Sequence, residues 1–150
     1  MDRHRAVSAG CGMPCDWVCL VGTDMVPLTL IYAGLLGLLG VLLANYVLFV
    51  RLRAATLPKW QPAAAERVQA NFVENVPLAL VLLYLNEIAG WDAAFIHALG
   101  ASLVLMRILH AWGLARYEGA NYPRLIGAQG TFLVVSVLSM AAVLKGLGWV

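Results

Sequence analysis

Four long apolar runs, at roughly 26–50, 63–89, 93–114 and 125–147, divide this chain and limit what it can fold into. A helix of about 25 residues rises about 37 Å, and the hydrocarbon core of a bilayer is about 30 Å thick. Each run is therefore long enough to cross a membrane. Inside lipid the backbone must satisfy its own hydrogen bonds, which a helix does within one segment. Composition agrees. The chain is 62% apolar and 12% charged, with a mean hydropathy of +0.82; soluble domains have about 45–50% and about 25%. Its 150 residues suffice for one domain. The expected fold is all-α: an integral membrane four-helix bundle over 26–150, running up-down-up-down because short connections join antiparallel neighbours. A net charge of +2 and the lack of a basic tract exclude a nucleic-acid partner.

Residues 1–25 differ from the rest and read as a tail, disordered or not native, with translation beginning at Met25 as one reading. They hold all three cysteines, Cys11, Cys15 and Cys19. Spacing by four would align three thiols on a helix, but no histidine or carboxylate completes a ligand set, so no metal site is expected. Arg3-His4-Arg5 is basic, yet no apolar segment of signal-peptide type follows it.

Charge sets the expected orientation. Arg51, Arg53 and Lys59 follow the first run, Arg116 and Arg124 follow the third, and the turn after the second carries only acids, Glu87 and Asp92. The positive-inside rule places both basic loops in the cytoplasm and both termini outside. Trp60, Trp91 and Trp149 fall near span ends, as an interfacial belt requires. Gly34, Gly37 and Gly40 in the first run mark a helix-packing face. His97 reads as an interhelical hydrogen-bonder, and Thr131, Ser136 and Ser139 as side chains bonded to backbone one turn back.

The second run opens with polar residues. Arg67, Asn71 and Glu74 lie at i, i+4 and i+7 and share one helical face. A cation, an amide and an anion on one stripe of a membrane helix are costly unless they meet a partner or a polar cavity. In the third run Arg107, His110 and Leu114 share a face in the same half of the membrane. Two readings follow. The stripes bind a polar, anionic ligand reached from the cytoplasm, or Glu74 pairs with Arg107 on the neighbouring helix, with Asn71 as hydrogen-bonding glue. No serine–histidine–aspartate set, glycine-rich phosphate loop or paired metal histidines appears.

The segment 66–77, Glu-Arg-Val-Gln-Ala-Asn-Phe-Val-Glu-Asn-Val-Pro, resembles the helix-two signature of the membrane-associated proteins in eicosanoid and glutathione metabolism, the MAPEG family. Arg107-Ile-Leu-His110-Ala-Trp-Gly113-Leu114 resembles its helix-three signature, and Arg124-Leu-Ile-Gly127 is similar to the start of its fourth helix. The resemblance covers 25–150 and is strongest to bacterial members. It implies a homotrimer in the bacterial inner membrane with glutathione, as co-substrate, between subunits near the cytoplasmic face. Carried over by position, Arg67, Gln69, Asn71 and Glu74 would hold glutathione with His110, Arg51 or Arg53 would reach in from a neighbouring subunit, and Arg124 would be catalytic.

That chemistry suits the residue types. Cations grip the two carboxylates of glutathione and a carboxylate takes its amine. A guanidinium beside the sulfur favours the nucleophilic thiolate, and arginine keeps its charge in an apolar site. The implied activity is a glutathione-dependent transferase or peroxidase acting on lipophilic electrophiles. Leu114 stands where the family's synthases have a tyrosine, and Asn75 where an aromatic is common, which separates this chain from specific eicosanoid synthesis. Two other readings remain: a non-enzymatic membrane protein with the Glu74–Arg107 pair as structure, and a small transporter. Four-helix proton-coupled exporters carry a glutamate in their first span, and this first span has no acid.

Overall fold

The computed structural model describes residues 26–119 and 121–149. Four helices account for most of them: α1 Thr29–Leu52, α2 Gln61–Ile88, α3 Ala93–Arg116 and α4 Tyr122–Gly146. All four are long and apolar enough to cross a membrane. Among the described residues there is no strand. A single 3-10 turn, Ala54–Thr56, lies between α1 and α2.

The helix ends follow local chemistry. Gly90 takes a left-handed φ of +83° after α2, a conformation that glycine adopts without a Cβ clash. Asp92 then caps α3, its Oδ2 accepting from Ala94 N at 2.9 Å. The polar loop expected to reach residue 124 is shorter. Asn121 caps α4 by accepting from Arg124 N at 3.0 Å, and Pro123 sits in the first turn, where its missing N–H costs nothing. Arg124 therefore belongs to a helix and its backbone is fixed.

Leu36, Leu83, Ile96, Leu103 and Leu138 are fully buried at the centre of the bundle. The outer surface is also apolar: Leu38 and Leu133, for example, are 67% and 66% exposed. An apolar exterior over four spans suits lipid as solvent. Trp149 is exposed, whereas Trp91 departs from a purely interfacial place: it stacks on Phe95 at 4.7 Å and packs on the core.

At the end away from the basic loops, Glu87 holds α1. Its carboxylate accepts from the backbone N of Leu28, from Thr29 N at 2.9 Å and from Thr29 Oγ1 at 2.6 Å. An anion there satisfies amides that a helix start leaves unpaired. His97 does bond between helices: its Nδ1 lies 2.7 Å from the Tyr32 hydroxyl. The Tyr32 ring occupies the space that a Cβ on Gly100 would need.

The closest helix approach lies between α3 and α4. A Cβ on Gly127 would sit 2.5 Å from His110 N and 2.6 Å from Met106 O. A Cβ on Gly113 would sit 2.5 Å from Arg124 N and 2.6 Å from Asn121 Oδ1. Small residues let helix backbones meet in lipid. The α1 glycines do less within the subunit: Gly34 and Gly37 have nothing near them, and only Gly40 meets a neighbour, Phe72. Backbone proximity of α3 and α4 sets up the site described next.

Candidate functional site

Arg107 is 2% exposed and lies in the half of α3 that ends at Arg116. Its Nη1 donates to Asn71 Oδ1 at 2.7 Å, and Nη2 donates to the Gly127 carbonyl at 3.3 Å. The α4 approach at Gly127 brings that carbonyl within reach. The expected Glu74–Arg107 pair does not form. The only ion pair among the described residues joins Arg51 and Glu66. Asn71 meets Arg107 on α3, while Glu74, about one turn further along α2, is exposed. A neutral oxygen holds the buried cation, and Arg107 Nε remains without a partner.

One turn on, His110 is 6% exposed. Its Nδ1 lies 3.0 Å from the backbone carbonyl of Arg124. Its Nε2 is buried with no partner, as is Gln69 Oε1. Arg124 is half-buried, and its Nη1 donates to the Gly119 carbonyl at 3.3 Å in an exposed hydrogen bond. Asn121 ties the corner together, accepting from Arg124 N through Oδ1 and donating through Nδ2 to the Gly113 carbonyl at 3.0 Å.

Beside these groups lies an open cleft of about 740 Å³, within the range of about 300–1,000 Å³ usual for small-molecule sites. Asn71, His110, Asn121 and Arg124 are its polar lining; Tyr122, Leu125, Ala128 and Phe132 complete it. The α4 wall faces outward: Tyr122, Leu125 and Phe132 are 82%, 56% and 49% exposed. The cleft thus joins an amide, an imidazole and a guanidinium to an apolar slope that leads to the lipid-facing surface.

Three of the sequence-predicted site residues, Asn71, His110 and Arg124, meet in this cleft. Others do not reach it within one subunit. Arg51 is exposed and bonded to Glu66 at 2.9 Å, and Arg53 lies over the Phe49 ring at 4.8 Å. Arg67 and Glu74 are exposed on α2, and Gln69 is half-buried. Asn121 and Tyr122 are not expected at the site because 116–124 reads as loop, and Leu125, Ala128 and Phe132 because they read as ordinary lipid-facing residues of the fourth span. The signal was present: Asn121 followed by Pro123 marks a helix start, and Leu125, Ala128 and Phe132 fall at i, i+3 and i+7. The three cysteines lie outside the described residues.

The family model of the MAPEG family matches residues 29–144, and the chain belongs to that family. Its four apolar helices are those of a membrane four-helix bundle. No curated protein and no solved structure matches the chain.

Proposed function

We propose that this protein is a membrane-bound, glutathione-dependent transferase or peroxidase acting on lipophilic electrophiles. The observation that carries the reading is the cleft itself, where Asn71, His110 and Arg124 face an apolar α4 wall that opens toward lipid. Family membership supports it, since the family includes glutathione transferases and peroxidases.

The residues present suit glutathione. Two buried polar atoms at the site, Arg107 Nε and His110 Nε2, have no partner, and buried polar groups are ordinarily satisfied. Glutathione supplies a thiol nucleophile. Arg124 holds a charge that does not titrate beside the sulfur and stabilises its anion. Asn71 is fixed by Arg107, so its amide is oriented before anything binds. Tyr122, Leu125 and Phe132 take the hydrophobic electrophile as it leaves the bilayer.

Arg67, Gln69 and Glu74 complete the grip in this proposal. Arg67 and Glu74 sit on an exposed face of α2, where a second copy of the chain would cover them. Intramembrane charges are expensive when they face lipid, which supports a homotrimer with the site between subunits. Arg51 or Arg53 would then arrive from the neighbour. The two basic loops would face the cytoplasm of a bacterial inner membrane, with the termini outside. Among the described residues Glu74 forms no ion pair, and Arg107 is held by Asn71 and the Gly127 carbonyl instead.

The test is conjugation of glutathione to a hydrophobic aryl halide by protein in liposomes. Wild type turns over, and Arg124→Ala loses at least about 100-fold in kcat, the scale expected when a charge-stabilising donor is removed. Equal rates for the two proteins contradict the assignment.

A further inference from the structure

The site holds one proton acceptor whose tautomer the fold has already chosen. A backbone carbonyl can only accept, so the 3.0 Å contact between His110 Nδ1 and the Arg124 carbonyl requires the proton on Nδ1. In the neutral ring, Nε2 then carries a lone pair. That nitrogen is buried and unpartnered, while the ring forms part of the cleft wall.

The arrangement is built from several elements. Gly127 and Gly113 bring the α3 and α4 backbones together, and a Cβ on Gly127 would collide with His110 itself. The Asn121 cap fixes the first turn of α4, and with it the carbonyl that His110 binds. One residue thus acts at both ends of the ring's chemistry: the Arg124 carbonyl sets the tautomer, and its side chain lines the same cleft. The charged groups acting on the ring are both cations, Arg107 on α3 and Arg124 on α4, so an imidazolium is favoured there only when the thiolate anion forms together with it. From α2 the cleft receives neutral Asn71, and Glu74 on that helix is exposed. No carboxylate at the site competes to take a proton.

We infer that His110 is the proton acceptor of the thiol: its Nε2 takes the proton as the cysteine S–H of glutathione breaks, and the electron pair stays on sulfur beside the Arg124 guanidinium. This rests on the glutathione reading above and assigns the proton that reading leaves unplaced. The S–H bond breaks, the Nε2–H bond forms, and no proton leaves the protein. The imidazolium then returns its proton to the leaving group or to water after transfer. Contact with Nε2 needs a small rotation of the ring or its neighbours, of the kind common at binding surfaces.

A proton count tests this separately from activity. Glutathione is titrated into the detergent-purified protein at neutral pH, in buffers of different ionisation enthalpy. Calorimetry gives the protons released per binding event, and ultraviolet absorbance gives the thiolate formed. S-methylglutathione, which has no thiol proton, sets the baseline. The wild type is expected to form thiolate with no proton release beyond that baseline. His110→Asn keeps an amide N–H where Nδ1 stands but lacks Nε2. It is expected to bind glutathione and then either form no thiolate or release one proton for each thiolate formed. Release of one proton per thiolate by the wild type overturns the inference and leaves the transferase reading intact. No glutathione binding by the wild type overturns both. The wild-type count decides alone if the variant misfolds.

Discussion

Arg107 shows what one side chain in this bundle requires of its neighbours. Its guanidinium is buried and bonded to Asn71 Oδ1 and the Gly127 carbonyl, and no carboxylate among the described residues pairs with it. A buried charge without hydrogen-bonding oxygens is strongly unfavourable. Asn71→Leu should therefore cost about 1.5–3 kcal/mol, the usual range for a hydrogen bond to a charged group, read as a lower midpoint for unfolding in denaturing detergent. Glu74→Gln should separate stability from binding. It leaves the unfolding midpoint nearly unchanged, because Glu74 is exposed and unpaired in the subunit, and weakens glutathione binding about tenfold, roughly 1.4 kcal/mol. A large loss of stability with unaltered binding would return Glu74 to a structural role. The Arg51–Glu66 pair is exposed at 63% and 51%, so Glu66→Gln should change stability by no more than about 1 kcal/mol.

At the scale of the element, the α3–α4 seam positions the site. Gly127→Ala places a methyl group 2.5 Å from the backbone of His110 and should destabilise by about 1–3 kcal/mol, as overpacking does. It should also weaken glutathione binding by separating the Arg124 carbonyl from His110. Gly37→Ala is the control, since nothing lies within 4 Å of its added Cβ. It should be neutral or slightly stabilising in the isolated subunit, as removing a helical glycine usually is. Equal effects at the two glycines would refute the seam. The four spans were legible from hydropathy because each run is long and bounded by charge or proline. The seam was not, because a glycine reads the same in sequence whether it faces a backbone, as Gly127 does, or open space, as Gly37 does. Glu87 was legible only as a turn residue; its reach to the start of α1 is a contact across 59 positions.

At the scale of the whole molecule, three of the residues expected at the site line one cleft within a single chain. Asn71, His110 and Arg124 are expected from spacing and family resemblance, and they converge in one cleft because α2, α3 and α4 share a core. The Glu74–Arg107 pair is not formed: Arg107 is bonded to Asn71, and Glu74 is exposed. Arg67 and Glu74 remain outward, and no single-chain pattern states what covers them. If a second copy does, the purified protein should have three times the mass of one chain by sedimentation in a mild detergent. Arg67→Ala should then lower glutathione affinity without changing the fold. A monodisperse monomer that binds glutathione with wild-type affinity in both proteins would contradict the shared site.

The central claim is that the cleft holds glutathione and that Arg124 stabilises its thiolate. The most direct measurement is equilibrium binding of glutathione to the purified protein, with ultraviolet thiolate absorbance followed in the same titration, for wild type and Arg124→Ala. The account predicts saturable binding with a thiolate signal in the wild type, and binding without that signal in the variant. No binding at millimolar glutathione, or an undiminished thiolate signal in Arg124→Ala, would contradict it.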